Sequence, residues 1–427
     1  MISIHAMNDI HRNLERCLAP SLRAALRRTP VVVLTGARQT GKTTLVRNWA
    51  GEDRRYLTLD DLDTLERAER EPDALLDSDR PMTLDEVQRS PSLLHAIKRR
   101  VDLRRNPGQF LLTGSANLAL MGKISESLAG RAVYKTLLPM TAAEKAGRGA
   151  CGIWEVLCKT PSALSRESCP PFDWRKAAVR GGFPPAALGA DADARAEWFD
   201  GYVRTYLERD LQTLSTIEHL ADFRRLLRFA ALRTGKLMNQ SDLARDAGLS
   251  QPTAHRYLGL LETSHILVRL PAYSVNRSKR LVKAPRLFLC DSGLACFLAG
   301  LHTADLLGAS DQAGFMLENL VLGELLAWRE TRTIRPEVLY WRTTSGQEVD
   351  FVIEDGGRLT PIEVKAATRV RLDDARGLSA FLAEYPAAAS HGILLYAGRT
   401  VERLAERVWA VPLSLALGTA NPPPSAQ

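Results

Sequence analysis

The segment VVVLTGARQTGKTTL, residues 31–45, constrains this chain more than any other feature. Its loop, residues 36–43, matches the pattern G-x-x-x-x-G-K-[ST] at every defined position. An apolar run precedes the loop and an apolar-periodic segment follows it, as expected for a buried strand and for a helix whose amino end faces an anion. The sequence therefore predicts a phosphate-binding loop (the P-loop, residues 36–43) inside an α/β domain.

The P-loop residues have separate predicted roles. We expect backbone N–H groups to surround the phosphates of ATP, Lys42 to reach the β- and γ-phosphates, and the Thr43 hydroxyl to bind Mg²⁺. The residues predicted to contact the nucleotide are Gly36, Ala37, Arg38, Gln39, Thr40, Gly41, Lys42, Thr43 and Thr44.

Hydrolysis also needs an acidic partner, and RPMTLDEVQ, residues 80–88, supplies a candidate about forty residues after the P-loop. Here Asp85 would hold the magnesium ion through water, and Glu86 would orient or deprotonate the attacking water. The apolar run before Asp85 is short, so a surface turn is the alternative interpretation.

Three more residues are candidates for sensing the γ-phosphate or stabilising its charge. QFLLTGSANL, residues 109–118, predicts a strand that ends in a polar residue, where Ser115 or Asn117 could sense the γ-phosphate. Arg131, in SLAGRA, could stabilise the charge of the transition state, either within its own chain or in a neighbouring subunit. An ordinary surface arginine is the alternative.

Length, charge and composition limit the kinds of protein that this chain can be. A chain of 427 residues predicts about two or three domains. The net charge of +8 permits a nucleic-acid partner without demonstrating one. The chain shows no signal-peptide pattern at its start and no apolar run of about 18 residues, so we expect a cytoplasmic protein that does not span a membrane. The six cysteines lack metal-ligand spacing and are predicted to be reduced thiols.

Residues 236–273 predict a helix–turn–helix. Asn239 or Ser241 could cap the first helix, Gly248 marks the turn, and Ser250 caps the second helix. The residues predicted on the exposed side of the second helix are Gln251, Thr253, His255 and Arg256. The segment that follows contains Arg269, Arg277, Lys279, Arg280, Lys283 and Arg286 without an acid between them, which suggests a basic wing along DNA phosphates. Sequence-specific DNA binding, nonspecific DNA contact and a purely structural role all remain open.

A second candidate site lies between residues 314 and 368. The sequence predicts a helix with Glu318, then strands over 338–342, 349–353 and 359–365. Asp350 lies on one strand, and Glu363 and Lys365 share a face of the next, because side chains alternate along a strand. Glu318, Asp350 and Glu363 could hold a divalent metal ion, while Lys365 could activate water or stabilise a phosphate transition state. Ion pairing at a sheet edge is the alternative.

The motifs LTGARQTGKTTL, LDEVQRSPSLLHAIKRRVD, QFLLTGSANL and SLAGRA together resemble a family of bacterial and archaeal AAA-like P-loop ATPases. In that family a C-terminal domain of unknown function follows the ATPase, and this C-terminal domain resembles PD-(D/E)xK nucleases. The resemblance implies an α/β AAA-like ATPase domain and a C-terminal α/β PD-(D/E)xK-like domain. The residue patterns predict a helical and winged-helix middle between them, so the predicted fold has three parts.

The predicted domain bounds are 1–145 for the ATPase core, 146–235 for a lid and helical linker, 236–290 for the winged helix, 291–412 for the nuclease-like domain and 413–427 for a disordered tail. The leading functional prediction is an ATP-hydrolysing protein that acts on DNA, with nuclease activity and a homo-oligomeric state left open. The alternative is an ATP-dependent regulatory or protein-remodelling switch, with an inactive nuclease-like domain and a winged helix that binds protein.

Overall fold

The computed structural model describes residues 14–47, 54–114, 128–149, 151–164, 168–189, 191–208 and 220–420. Its N-terminal part contains a parallel sheet in the order β2-β3-β4-β1-β5. The strands are β1 (Val31–Thr35), β2 (Arg55–Thr58), β3 (Met82–Asp85), β4 (Phe110–Thr113) and β5 (Ala132–Thr136). The helices around it are α1 (Ala19–Leu26), α2 (Lys42–Arg47), α3 (Leu62–Arg70), α4 (Pro72–Leu75) and α5 (Pro91–Leu103).

Strand β1 lies inside this sheet and is buried along its whole length. Val31 and Val33 belong to one apolar cluster, whereas Val32 and Leu34 belong to another that contains Leu22 of α1. Alternate residues of a strand face opposite sides, so both faces of the sheet are covered by helices. The strand and helix predicted on either side of the P-loop are confirmed.

The middle of the chain is mainly helical. Its helices are α6 (Ala142–Lys145), α7 (Trp154–Lys159), α8 (Trp174–Arg180), α9 (Pro184–Leu188), α10 (Ala192–Gly201), α11 (Leu220–Leu232), α12 (Gln240–Asp246) and α13 (Gln251–Thr263), with a π-helix at Tyr202–Glu208. An antiparallel ribbon follows, made of β6 (Leu267–Leu270) and β7 (Arg286–Leu289), with α14 (Arg277–Val282) between them.

The local structure of α12 and α13 agrees with the sequence. The Asn239 side chain accepts hydrogen bonds from the N–H groups at the start of α12. Ser250 Oγ accepts from Thr253 N at 3.3 Å and caps α13. Between them, Gly248 adopts a φ of 66°, a left-handed conformation that glycine tolerates best. The predicted caps and turn of this helix pair are confirmed.

The C-terminal part contains a mixed sheet in the order β12-β13-β11-β10-β9-β8. Its strands are β8 (Glu337–Arg342), β9 (Glu348–Asp355), β10 (Arg358–Lys365), β11 (Gly392–Tyr396), β12 (Glu402–Ala405) and β13 (Val408–Pro412). The helices from residue 291 onward are α15 (Ser292–Leu298), α16 (Ala304–Ala309), α17 (Ala313–Thr331), α18 (Arg376–Glu384) and α19 (Leu413–Ala416). Strands β8, β9 and β10 confirm the three that the sequence predicts.

Two sequence-based expectations are wrong. Cys17 and Cys151 form a disulfide, although all cysteines were predicted to be reduced. Their separation of 134 residues hides the pairing in the sequence, while the fold brings their Cα atoms to 5.8 Å. The predicted disordered tail also begins too early, because α19 is helical and Leu413 and Leu415 are buried. No helix within the described residues is both long enough and apolar enough to cross a membrane.

A polar junction joins helix α6, the segment after α8 and helix α17. Glu324 of α17 accepts a hydrogen bond from Ala142 N at 2.6 Å. Lys145 of α6 donates to the Gly181 carbonyl oxygen at 2.7 Å, and Gly182 N donates to Asp291 Oδ2 at 2.6 Å. Helix α6 is therefore connected to α17 and to the segment after α8, and that segment is connected to Asp291, by polar contacts.

Candidate functional site

The P-loop has a backbone that only particular residues can adopt. Gly36 has a φ of 142°, and a Cβ placed there would lie 2.2 Å from the carbonyl oxygen of Leu137. Gly41 and Gln39 also have positive φ values, of 92° and 63°. Glycine at position 36 is thus required by close backbone approach as well as by conformation.

Lys42 lies over its own loop. Its Nζ donates to the carbonyl oxygens of Gly36 at 3.0 Å and Ala37 at 2.9 Å. Burial lowers the pKa of Lys42 to about 8, and the nearby carboxylates of Glu86 and Asp85 oppose that shift. A phosphate anion beside Lys42 would favour the charged form in the same way.

Arg16 supports the P-loop and was missed by the sequence analysis. Its Nη1 donates to the Thr40 carbonyl oxygen at 2.7 Å, and its Nη2 donates to the Leu138 carbonyl oxygen at 2.6 Å. Its Nε lies 3.1 Å from Glu144 Oε2. Arg16 is buried, and no motif marks it, because all its partners lie at least 24 residues away in the sequence.

Asp85 and Glu86 lie at the carboxyl edge of the parallel sheet, where the P-loop also lies. Asp85 ends β3 and accepts hydrogen bonds from Tyr56 Oη at 2.8 Å and from the Thr113 hydroxyl. Glu86 adopts a φ of 59° and accepts a hydrogen bond from Gln88. Burial raises the pKa of Glu86. The strand order brings both acids near Lys42, as the electrostatic effect of each on the Lys42 pKa indicates.

The structure describes only one of the remaining residues that were predicted to act on the phosphates, Arg131. Ser115 and Asn117 lie outside the described residues. Arg131 precedes β5, whose Ala132 pairs with Val31 at the start of β1. It therefore lies at the amino edge of the sheet, roughly 15 Å from the P-loop edge at about 3.3 Å per residue. There it forms an ion pair with Asp102, with Nε 2.6 Å from Oδ1. This position does not suit a role in its own chain's site, and a contribution to a neighbouring subunit stays a prediction.

The middle part of the chain also reaches the nucleotide site. Tyr202 Oη donates to the Arg38 carbonyl oxygen at 3.3 Å. His265, between α13 and β6, has a φ of 57°, and burial followed by the charge of Lys42 lowers its pKa to about 4. Within the described residues, the non-glycine residues with positive φ are Gln39, Glu86 and His265. All three lie around the P-loop, which fits the tendency of strained backbone to occur at functional sites.

The basic segment after α13 is less exposed than its composition suggests. Arg280 is buried and lies 2.8 Å from Glu337 and 2.5 Å from Glu354. Arg286 is buried among acids of the C-terminal part, and Arg269 pairs with Glu262. The prediction of a basic wing with six unpaired cations is therefore wrong, because four of the six form ion pairs, including the exposed Arg277, whose Nη2 lies 3.6 Å from Glu354 Oε1. The exposed cations of the segment are Arg277, Lys279 and Lys283.

The second predicted site is brought together at the start of β9 and the end of β10. Lys365 Nζ lies 2.7 Å from Glu363 Oε1, and Asp350 Oδ2 accepts a hydrogen bond from Val364 N at 3.0 Å. The register between β8 and β9 slips by one residue between Val349 and Val352, and such a bulge re-aims the side chains within it, here Asp350.

Arg286 occupies the centre of this acid cluster, which consists of Glu318, Glu348, Asp350 and Glu363. Its Nη1 lies 3.2 Å from Glu318 Oε2 and 3.3 Å from Asp350 Oδ1, and its Nη2 lies 3.1 Å from Glu348 Oε2. Burial raises the pKa of Glu318, of Asp350 and of Glu363, the last to about 8. Among the described residues no group of three carboxylate, histidine or cysteine side chains is arranged to hold a metal ion. The predicted ligands Glu318, Asp350 and Glu363 do not fit a metal ion in this arrangement, because a guanidinium lies between two of them.

Comparison with known proteins connects these sites to a family. The chain is 32% identical over 417 residues to Uncharacterized protein Rv2008c of Mycobacterium tuberculosis (strain ATCC 25618 / H37Rv), covering 95% of this chain and 85% of that protein. The same values hold for Uncharacterized protein Mb2031c of Mycobacterium bovis (strain ATCC BAA-935 / AF2122/97). The chain belongs to the family of these two proteins.

The family models divide this family member into three segments. An AAA domain matches residues 28–146, a domain of unknown function (DUF8612) matches residues 171–305, and a second domain of unknown function (DUF4143) matches residues 313–416. The AAA match contains the P-loop, Asp85 and Glu86, so the N-terminal domain is an AAA-type P-loop ATPase domain. The DUF4143 match contains Glu318, Asp350, Glu363 and Lys365 but not Arg286, which comes from the middle segment.

Solved structures that resemble this chain include the Walker-type ATPase PABY2304 of Pyrococcus abyssi. It has a TM-score of 0.40 and 16% identity, and the match covers 66% of this chain and 94% of that one. The Hsp104–ADP complex of S. cerevisiae matches with a TM-score of 0.27 and 12% identity over 76% of this chain and 45% of that one.

Proposed function

We propose that this protein binds and hydrolyses MgATP at the P-loop and uses the nucleotide cycle to act on DNA. The observation that carries the ATPase part is the convergence of Lys42, Asp85 and Glu86 at one edge of a parallel sheet. In this mechanism Lys42 exchanges its contacts with the Gly36 and Ala37 carbonyl oxygens for contacts with the phosphates. Thr43 and Asp85 would hold the magnesium ion that arrives with the substrate.

Glu86 is the proposed group that orients the attacking water or takes its proton. It follows Asp85 directly and lies near enough to Lys42 to affect its pKa. Burial raises the pKa of Glu86, which makes its carboxylate a stronger base than an exposed one. Phosphoryl transfer depends mainly on positioning and charge stabilisation, and Arg16 and Gly36 serve positioning by holding the loop backbone.

The DNA part of the proposal rests on helices α11–α13 and the β6–β7 ribbon, which we propose form a winged helix. Ala254, Leu258 and Leu261 of α13 are buried, which leaves Gln251, His255 and Arg256 exposed. Polar and basic side chains on the second helix of such a pair are placed to contact DNA. The exposed cations Arg277, Lys279 and Lys283 could add phosphate contacts.

The C-terminal domain is proposed to have a PD-(D/E)xK-type fold. The order α17-β8-β9-β10-α18-β11, with β10 and β11 parallel, supports this assignment, as does the proximity of Asp350, Glu363 and Lys365. Because Arg286 lies within the acid cluster, we propose no cleavage at this site.

The ATPase proposal is tested by steady-state ATP hydrolysis of the full chain with and without double-stranded DNA. We expect turnover that DNA stimulates and that Lys42→Ala abolishes, whereas the exposed Lys176→Ala leaves turnover unchanged. Turnover that persists in Lys42→Ala would contradict the assignment of the P-loop as the hydrolytic site.

The DNA proposal is tested by binding at several salt concentrations. Arg256→Glu should weaken DNA binding and flatten its salt dependence, because a phosphate or base contact is lost. The exposed Arg369→Glu, outside the helix pair, is the matched control. Hydrolysis indifferent to DNA, with no salt-dependent binding, would instead favour the second candidate function, an ATP-dependent switch whose helix pair binds a protein.

A further inference from the structure

The Cys17–Cys151 disulfide lies next to the contact that holds the P-loop. Cys17 follows Arg16, whose Nη1 donates to the Thr40 carbonyl oxygen at 2.7 Å. The backbone N–H of Cys17 donates to Glu144 Oε1 at 2.6 Å, and the other oxygen of this carboxylate lies 3.1 Å from Arg16 Nε. The disulfide therefore fixes the same short segment that positions Arg16 against the P-loop.

The other half of the disulfide is anchored on the C-terminal part of the chain. Cys151 precedes Gly152, where an added Cβ would lie 2.2 Å from the Ala416 carbonyl oxygen of α19. Ile153 N donates to the same carbonyl oxygen at 3.1 Å. Because the two cysteines are 134 residues apart, the bridge ties the Arg16 segment covalently to a distant part of the fold.

A cavity of about 850 Å³ lies against this disulfide and is lined by both cysteines. Its wall includes the ion pair between Arg332 Nη1 and Glu155 Oε2, 2.7 Å apart, and the side chain of Ile334, which is 80% exposed. The exposure of Ile334 shows that the cavity opens to solvent. A thiol can therefore approach the disulfide from solvent while the surrounding helices stay folded.

The four remaining cysteines of the chain are shielded thiols. Cys169, Cys290 and Cys296 are buried, and Cys158 is half-buried. Burial raises the pKa of each of these thiols, that of Cys158 to about 12. The thiolate is the reactive form of cysteine, so these four side chains exchange slowly and leave the disulfide as the reactive position.

We propose that the Cys17–Cys151 disulfide is a redox-modification site, reached by a dithiol reductant through this cavity, that sets the affinity of the P-loop for ATP. The inference rests on the proposed ATP binding. In the oxidised protein the bridge fixes the Arg16 segment, so the P-loop is held ready for the phosphates. In the reduced protein Arg16 keeps its hydrogen bonds but loses the covalent constraint beside it, and a less fixed loop binds ATP more weakly.

The exchange is balanced by the reductant alone. One thiolate of the dithiol attacks a sulfur of the bridge, which forms a mixed disulfide and releases the other cysteine as a thiolate. The second thiolate of the dithiol then displaces the first cysteine. The protein gains two electrons and, from solvent and the reductant, two protons, while the dithiol becomes a disulfide.

The test compares the full chain, purified without reductant, before and after treatment with dithiothreitol under native conditions. Alkylation followed by mass spectrometry should show that Cys17 and Cys151 become thiols. The Kd of a fluorescent ATP analogue with Mg²⁺ should rise about fivefold on reduction, because the loop is less preorganised, and should recover on reoxidation. In Arg16→Met reduction should leave the Kd unchanged, since the contact through which the disulfide acts is already lost.

The double variant Cys17→Ser, Cys151→Ser should bind the analogue like reduced wild type and ignore dithiothreitol. Cys158→Ser is the matched control and should keep the full response, because Cys158 is a free thiol outside the bridge. Wild type itself provides both redox forms, so poor folding of a serine variant leaves the comparison intact.

Alkylation of Cys17 and Cys151 before any dithiothreitol is added, or only after urea is added, would overturn the inference. So would equal Kd values for the two verified redox forms, or a dithiothreitol effect of the same size in Arg16→Met. Absence of nucleotide binding in both redox forms would refute the proposed ATP site itself, and the inference with it.

Discussion

Arg16 Nη1 lies 2.7 Å from the carbonyl oxygen of Thr40, so an arginine outside the P-loop motif holds the backbone of that loop. We predict that Arg16→Met raises the KM for ATP about tenfold, because the loop loses a fixed contact. The variant should also lower the free energy of unfolding by about 2–4 kcal/mol, since Glu144 is left buried without its cation. Steady-state kinetics and urea unfolding measure the two effects.

The exposed Arg27→Met, just after α1, serves as the control for Arg16→Met. It removes the same charge from the same region without touching the loop. A normal KM in Arg16→Met would show that the loop holds its shape without this contact.

The close approach of Gly36 to Leu137 gives a second prediction. Gly36→Ala would place a Cβ 2.2 Å from the Leu137 carbonyl oxygen, so the loop must shift away from β5. We expect loss of detectable ATP binding and a destabilisation of about 2 kcal/mol or more. Fluorescent-nucleotide binding and thermal unfolding measure these outcomes.

The control for Gly36→Ala is Gly323→Ala, within α17. A Cβ at Gly323 meets no atom within 4 Å, so this change should be neutral or stabilise the protein by about 0.5–1 kcal/mol. Comparable damage from the two alanines would argue against a specific steric requirement at position 36.

The lowered pKa of Lys42 predicts how catalysis depends on pH. Burial brings this pKa to about 8 in the free protein, so Lys42 loses its charge as the pH rises through that value. Because the phosphates bind the charged form, kcat/KM for ATP should fall above about pH 8, by at most tenfold per pH unit. Lys42→Arg keeps its charge at this pH and should show a lower kcat/KM without the decline near pH 8.

Glu324 predicts a pH dependence of stability. Burial raises its pKa from 4.5 to about 8, so the folded protein binds more protons at this group than the unfolded chain does between these values. Its contribution to stability is therefore complete below about pH 4.5 and is lost as the pH rises to about 8. We expect Glu324→Gln to gain roughly 1–3 kcal/mol relative to wild type over this range.

Urea unfolding of wild type and Glu324→Gln at several pH values measures this gain. The introduced glutamine would keep an oxygen acceptor for Ala142 N, so the contact between α17 and α6 need not be lost. The exposed Glu406→Gln should follow the wild-type curve. A constant difference between Glu324→Gln and wild type at all pH values would contradict a proton held at this carboxyl group.

The sequence by itself determined the features that depend on residues close together along the chain. The P-loop, the strand before it, the caps at Asn239 and Ser250, and strands β8–β10 were all predictable, since local spacing and local hydrogen bonds specify them. The proximity of Glu363 to Lys365 was predictable for the same reason, because two residues separated by one position share a strand face.

Only the tertiary structure decided which distant charges meet. Arg16 at the P-loop, Arg131 at the opposite sheet edge, the Cys17–Cys151 disulfide and Arg286 inside the acid cluster all depend on contacts between residues far apart in the chain. A run of basic residues looks the same in sequence whether its cations face solvent or buried carboxylates. The partner sets the role of a buried charge, and the partner is chosen by the packing of whole elements.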